Sequence, residues 1–265
     1  MKKLREAFAQ GTSDDGFCAV EGIRLIEEAI RSRLKVHALF VRQSAQARAE
    51  RILDQLSKHA EALLLPNDVF DSAAATEHPQ GIAALVQIPH FDLEAVLAAS
   101  PALLIVAAGI QDPGNLGTLI RSAEAFGAGS VISIEGTASH WNTKVIRASA
   151  GSVFRLPIIK MPSEDLMSEL KRREIAALAL VAPRPLSAAD AEGSSPQNPR
   201  KAQEANLTRS CALFVGNEGA GISRDLSSAI DEFVAIPQSR VESLNAGVAA
   251  SIALYEAQRQ RSART

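Results

Sequence analysis

Asn115, Arg121, Glu218, Ser243 and Asn245 stand in three stretches of one pattern: Gly114-Asn115-Leu116-Gly117…Arg121, Gly216-Asn217-Glu218-Gly219-Ala220-Gly221, and Ile236-Pro237…Glu242-Ser243-Leu244-Asn245. Each stretch follows an apolar run of strand length and leads into a helical pattern. If those strands are parallel neighbours, the three turns meet at the carboxyl edge of one sheet, where open α/β sheets keep their sites. One guanidinium, one carboxylate, one hydroxyl and two amides would then surround a single crevice. A guanidinium is a poor base at neutral pH and a good anion ligand, so such a set positions and polarises. Each residue also has a plain structural explanation. Asn115 and Ser243 suit helix N-caps, and the glycines of 216–221 suit a tight turn. Asn245, just inside a helix start, is not explained by propensity. Convergence is what favours chemistry.

The element best placed to position them is Leu103 to Ile134: a strand over Leu103–Ala108, a turn over Gln111–Asn115, a helix from about Leu116 to Phe126, and a strand over Val131–Ile134. That is one βαβ unit and implies a parallel sheet. Ahead of it, strands at Phe17–Val20, Val36–Val41, Ala62–Leu65 and Ile82–Ile88 alternate with helices at Gly22–Ser32, Ala45–His59 and Val69–Ala75, which predicts a small α/β unit. A boundary near Ser100-Pro101 gives domains 1–97 and 98–265. Downstream, His140–Ser152 reads as helical and Phe154–Ile159 as a short strand. Ser163–Arg173 reads as a helix capped by Ser163, Ile175–Val181 as a strand, Arg224–Ile230 as a helix, and Ser243–Ser262 as a closing helix. Pro183–Asn206 has little to bury and reads as a mobile surface loop.

Composition narrows the function classes. The chain has 265 residues, 46% of them hydrophobic and 22% charged, the profile of a soluble globular protein. No apolar run is long enough to span a bilayer, and MKKLREAFAQGTSDDG is not a signal peptide. The two cysteines are isolated and the five histidines lack ligand spacing, so a cytoplasmic, metal-free protein is expected. A net charge of −2 means that any nucleic-acid footprint is a local patch. Arg24, Arg31 and Arg33, together with Lys144 and Arg147, are the candidate phosphate contacts. Glu135 ends a strand where a dinucleotide-binding fold keeps its ribose acid. The first turn, however, reads G-x-x-G and not G-x-G-x-x-G, so an oxidoreductase reading is weak.

In order and spacing, DPGNLGTLIRSAEAFGA, FVGNEGAGIS and IPQSRVESLNAGVAASIALYE resemble the three motifs of the SpoU (TrmH-like) RNA ribose 2′-O-methyltransferases of the SPOUT superfamily. FCAVEGIRLIEEAI and GIAALVQIP look like the small ribosomal-protein-type RNA-binding domain carried in front by many members. The resemblance implies an α/β fold: a parallel-sheet methyltransferase domain with a deep trefoil knot, used as a homodimer, behind a small RNA-binding domain. It implies S-adenosylmethionine as cofactor, held around Gly216, Asn217, Glu218, Gly219, Ile236, Leu244 and Asn245. It implies catalytic roles for Asn115, Arg121, Glu218, Ser243 and Asn245; the chemistry then expects Arg121 to hold the target phosphate or polarise the 2′-hydroxyl, with Glu218 and Asn115 orienting it. The leading domain favours ribosomal over transfer RNA; an idle RNA-binding factor of the same fold is the remaining alternative. The third motif departs from the family's Leu-Asn-Val-Ser-Val at Ala246 and Gly247, which leaves a hydroxyl missing.

Overall fold

The structure, a computed structural model, describes residues 1–74, 76, 79–183 and 199–263. Its contacts divide the chain into two compact units: Met1–His90 with Ser139–Arg155, and Phe91–Ala138 with Leu156–Thr265. The Ser139–Arg155 excursion, which the reading by sequence assigns to the second domain, packs with the first unit.

The first unit is built from α1 (Lys2–Gln10), β1 (Phe17–Glu21), α2 (Ile23–Arg31), β2 (Val36–Arg42), α3 (Gln46–Leu53), β3 (Glu61–Leu65), α4 (Asn67–Asp71) and β4 (Ile82–Gln87). The strands lie in the order β1-β4-β2-β3, with only β2 and β3 parallel. Alternate residues Ala38, Phe40, Ala83 and Leu85 face a core closed by Leu4, Ala7 and Phe70. Leu4 and Ala7 belong to α1, a helix the sequence reading left out because its apolar positions are few. The α3 helix is shorter than expected.

The second unit holds α5 (Leu93–Leu97), β5 (Leu103–Ala108), α6 (Pro113–Ala125) and β6 (Ser130–Ser133). After the excursion, which contains α7 (Thr143–Ala148), come β7 (Ile158–Lys160), α8 (Ser163–Arg172), β8 (Ala176–Val181), β9 (Arg200–Lys201), β10 (Cys211–Gly216), α9 (Arg224–Ser227), β11 (Glu232–Ala235) and α10 (Ala246–Ser262). Its strands lie in the order β7-β6-β5-β10-β8-β11-β9, and every pair is parallel. Such a sheet needs both faces covered, which is why β5 is buried at all six positions. One face packs Leu104, Val106, Ala179 and Phe214 against Leu166 and Leu170 of α8. On the other, α6 packs on β6 and α10 on both α6 and β10.

Several boundaries differ from expectation for identifiable reasons. The α6 helix starts a turn earlier, because Asp112 caps it and Pro113 sits in its first turn, where a missing N–H costs nothing. The strand expected over Phe154–Ile159 shrinks to β7, since Pro157 cannot donate to a ladder. Ser163 opens α8 but does not cap it: its own N–H donates to Glu135 Oε1 at 2.8 Å. That bond holds the Glu135 carboxyl below its ordinary value and gives this residue a structural task. Of the loop expected over Pro183–Asn206, residues 184–198 lie outside the described residues. Arg200–Lys201 form β9 on the sheet edge, and Ala202 and Ala205 are buried.

The α6–α10 contact is close because small residues face it: Gly247, Ala250 and Ala253 are buried on α10, and Ser122 and Ser251 share a hydrogen bond of 2.7 Å. A Cβ at Gly247 would lie 3.0 Å from Thr118 Cβ and 3.2 Å from the Asn115 carbonyl oxygen. A side chain at position 247 would therefore press on Thr118. We expect Gly247→Ser to lower unfolding stability by about 1–3 kcal/mol; adding Thr118→Ala, which removes the Cγ2 at 3.1 Å but keeps the Cβ at 3.0 Å, should recover only part of it, as read by denaturant titration.

Candidate active site

The carboxyl ends of β10 and β8, together with the segment from β11 into α10, enclose a cavity of about 470 Å³. Its wall includes Gly216 to Ile222, Ile236, Gln238, and Glu242 to Leu244. Of the residues expected to hold a cofactor, Gly216, Asn217, Glu218, Gly219, Ile236 and Leu244 line it, and Asn245 stands between two lining neighbours. Leu180 to Ala182, at the end of β8, also line it, as do Gln238 and Glu242; none of these was expected. The signal for Leu180–Ala182 is topological: β8 lies between β10 and β11, so its end must open into the same crevice.

The loop after β10 is closed by its own hydrogen bonds. Asn217 and Gly221 exchange backbone hydrogen bonds of 3.0 and 2.8 Å, and Asn217 Oδ1 accepts from the N–H groups of Gly219 and Ala220. The Asn217 amide donates to the Gly109 carbonyl at 3.0 Å, tying this loop to the one after β5. The Gly221 carbonyl then crosses so close over Gly216 that a Cβ there would lie 2.5 Å from Gly221 backbone. Glycine at 216 is therefore a requirement of the loop.

Three of the expected catalytic residues form one hydrogen-bonded chain. Asn245 caps α10, its Oδ1 accepting from Val248 N–H at 3.2 Å. Its Nδ2 donates to Asn115 Oδ1 at 2.7 Å, and Asn115 Nδ2 donates to Glu218 Oε1. Asn115 is free for this because Asp112, not Asn115, caps α6, accepting the Asn115 N–H at 2.8 Å. Ser243 lines the cavity but caps nothing. Arg121 is brought to none of these groups. It is exposed on α6, six residues beyond Asn115, and makes no hydrogen bond or ion pair among the described residues. The expected orientation of Arg121 by Glu218 and Asn115 is absent, because those two are bonded to each other.

Among the candidate phosphate contacts, Arg24, Arg31 and Arg147 line a second cavity, within the first unit. Arg31 is engaged there by Glu28 at 2.7 Å. Arg33 and Lys144 do not line it. Among the described residues, no group of His, Cys, Asp or Glu could hold a metal ion, and no helix is long and apolar enough to cross a membrane.

Residues 102–255 match the family model of the SpoU rRNA methylases. The chain belongs to that family. Residues 2–84 match the model of an MRM3-like substrate binding domain. The methylase is 35% identical over 237 residues to the 23S rRNA (guanosine(2553)-2′-O)-methyltransferase RlmP of Bacillus subtilis, covering 89% of this chain and 86% of that one. It is 31% identical to the 23S rRNA (uridine(2479)-2′-O)-methyltransferase of Streptomyces viridochromogenes, over 91% of this chain and 82% of that one. The SpoU methyltransferase AviRb from the same organism, solved in complex with AdoMet, superposes with a TM-score of 0.82 at 25% identity. That match covers 98% of this chain and 97% of the other.

The two functions of Asn245 can be separated. In Asn245→Asp the side chain still caps α10 but has no proton for Asn115. We expect unfolding stability to stay within about 0.5 kcal/mol while methyl transfer falls by about tenfold or more. Asn245→Ala loses both. Denaturant titration beside a turnover assay checks the split.

Proposed function

We propose that this chain transfers a methyl group from S-adenosylmethionine to a ribose 2′-hydroxyl of ribosomal RNA, with residues 1–97 as substrate domain and 98–265 as methyltransferase domain. The observation that carries the reading is the hydrogen-bonded chain Asn245–Asn115–Glu218 at the rim of a cavity whose walls include a glycine-rich loop. The cavity suits the cofactor: Val215 and Val234 give it apolar wall, and backbone is exposed along 216–221. Gln238 Oε1 is buried there with no partner among the described residues, an acceptor that an amino group would satisfy. Glu218 and Glu242 add negative charge opposite a cationic ligand.

When bound, the cofactor supplies a methyl already activated on a sulfonium, so alignment and proton removal are what remain. Asn115 and Asn245 fix the Glu218 carboxylate at the rim and hold the ribose side of the site. Ser243 and Leu244 shape the wall beside it. Arg121, with no partner among the described residues, takes the phosphate of the target nucleotide or polarises the 2′-hydroxyl. The 2′-hydroxyl itself restricts the substrate to RNA. The two relatives named for 23S rRNA, and the family model over residues 2–84, support ribosomal RNA.

Transfer of labelled methyl to RNA from a strain lacking this gene, followed by nuclease digestion, tests the reading. Label is expected in one 2′-O-methyl nucleotide. Cofactor binding without any label on free RNA or ribosomal particles would indicate an idle RNA-binding factor instead. Arg121→Lys is expected to lower turnover by about 10- to 1000-fold with unchanged cofactor affinity, since Arg121 does not line the cavity.

The proposal extends to a trefoil knot, a homodimer and the cytoplasm. Insertion of the late strand β10 between the earlier β5 and β8 supports the knot. Val248, Ile252 and Tyr255, spaced on one stripe of α10, are 44%, 38% and 54% exposed, which supports pairing through that helix. Ile252→Glu is expected to shift the protein to monomer in sedimentation analysis. The two cysteines are buried free thiols, in keeping with a reducing compartment.

A further inference from the structure

The larger cavity in the first unit, about 870 Å³, lies at the N-terminus of α2. Its volume falls within the range of about 300–1,000 Å³ usual for small-ligand sites. Glu21, the last residue of β1, lines it and is 6% exposed. Its Oε1 accepts from Thr76 Oγ1 at 2.8 Å and from the Gln80 N–H at 3.4 Å. Its Oε2 is enclosed with no partner among the described residues. A buried acceptor left unpaired is costly, so it points to a donor that arrives with a ligand.

The surrounding charges define that ligand further. Arg31 and Arg51 also line the cavity, but Glu28 and Glu27 neutralise them at 2.7 and 3.1 Å. Arg24 and Arg147 line it too, are exposed, and have no partner among the described residues. The ligand therefore presents N–H donors at one end and negative charge at the other, as a nucleotide does. Guanine alone among the RNA bases carries two adjacent donors, N1–H and the N2 amino group, on one edge. The single ring N–H of uracil is flanked by carbonyls that a carboxylate repels. Gly22 allows close approach: its φ is +96°, and a Cβ there would lie 2.8 Å from Gln80 Oε1. Gln80, whose side chain makes no bond among the described residues, is the group that turns aside for the base.

We propose that this cavity binds an unpaired guanine of the RNA substrate. The guanine edge donates to the Glu21 carboxylate, and Arg24 and Arg147 hold the adjoining phosphates. The inference rests on the RNA-binding reading and adds to it a base preference carried by the first unit. Single-stranded RNA is commonly read in this way, through unstacked bases on their Watson–Crick edges.

The test is fluorescence anisotropy with the full-length protein and the labelled pentamers UUGUU, UUAUU, UUCUU and UUIUU, where I is inosine and lacks the N2 amino group. UUGUU is expected to bind about tenfold tighter than the adenine and cytosine pentamers, with UUIUU in between. Glu21→Gln should erase that preference and leave a common, weaker affinity. Arg24→Ala should weaken all four equally and keep the preference; both variants should bind S-adenosylmethionine as the parent does. Equal affinity for all four pentamers in the parent, or a guanine preference that survives Glu21→Gln, overturns the pocket while leaving RNA binding intact. No binding of any RNA, with cofactor affinity retained, overturns the RNA reading and the pocket together.

Discussion

The site depends on the direction of one chain of hydrogen bonds. A carboxylate only accepts, so Glu218 obliges Asn115 to turn its amide nitrogen toward it. The Asn115 oxygen then faces Asn245, which must answer with its own nitrogen. That leaves the Asn245 oxygen to cap α10, which it does by accepting from the Val248 N–H. No link can be reversed without placing two acceptors or two donors together. The identity of both asparagines thus follows from the single acid at one end and the single helix N-terminus at the other. Aspartate would cap as well at 245, and glutamine would be too long at 115. Neither could carry the polarity through.

The same chain explains how a helix formed by the last residues of the sequence takes its place in a site begun much earlier. The α10 helix, about 25 Å long at 1.5 Å per residue, is held at both ends. Asn245 ties its start to the carboxyl edge of the sheet. Arg261, near its other end, donates to the carbonyls of Pro101, Ala102, Leu207 and Arg209 at the amino edge. Between these anchors, the small residues of α10 lie against Thr118 and Ser122 of α6. Sliding α10 by one residue would break both anchors and drive a side chain into the space above Asn115. Core packing and site geometry are therefore one constraint, and Gly247 belongs to both.

Most of this arrangement was legible in the residues. Apolar runs at strand length, with turn residues after them, marked β5, β10 and β11, and the parallel sheet follows from the βαβ pattern. Convergence of Asn115, Glu218 and Asn245 followed from that topology. Cap assignment was harder, because capping is a property of backbone geometry within one residue of a boundary. Asp112 precedes Asn115 and Asn245 follows Ser243 so closely that sequence alone cannot choose between them. Glu135 shows the same limit over a longer span: its partner, the Ser163 N–H, is 28 positions away, and only the β6–β7 pairing makes them neighbours. The cavity at Glu21 was hidden for another reason. The arginines of α2 were visible, but an unpaired oxygen in a buried carboxylate has no sequence signature.

The position of Arg121 follows from the electrostatics of the reaction proposed. Glu218 and Glu242 give the cavity rim negative charge, which favours a cationic cofactor. A guanidinium drawn into the Asn115–Glu218 network would cancel that charge and spend the arginine on an internal ion pair. Kept outside, exposed on α6 and without a partner among the described residues, it stays available for the phosphate contact proposed. The attraction is then available to the substrate and not already consumed by the protein. In the reaction proposed the two charged partners carry opposite signs, and the roles proposed for this chain's residues meet them on separate elements: an acidic rim on loops for the sulfonium, and on a helix an arginine without a partner among the described residues for the RNA backbone.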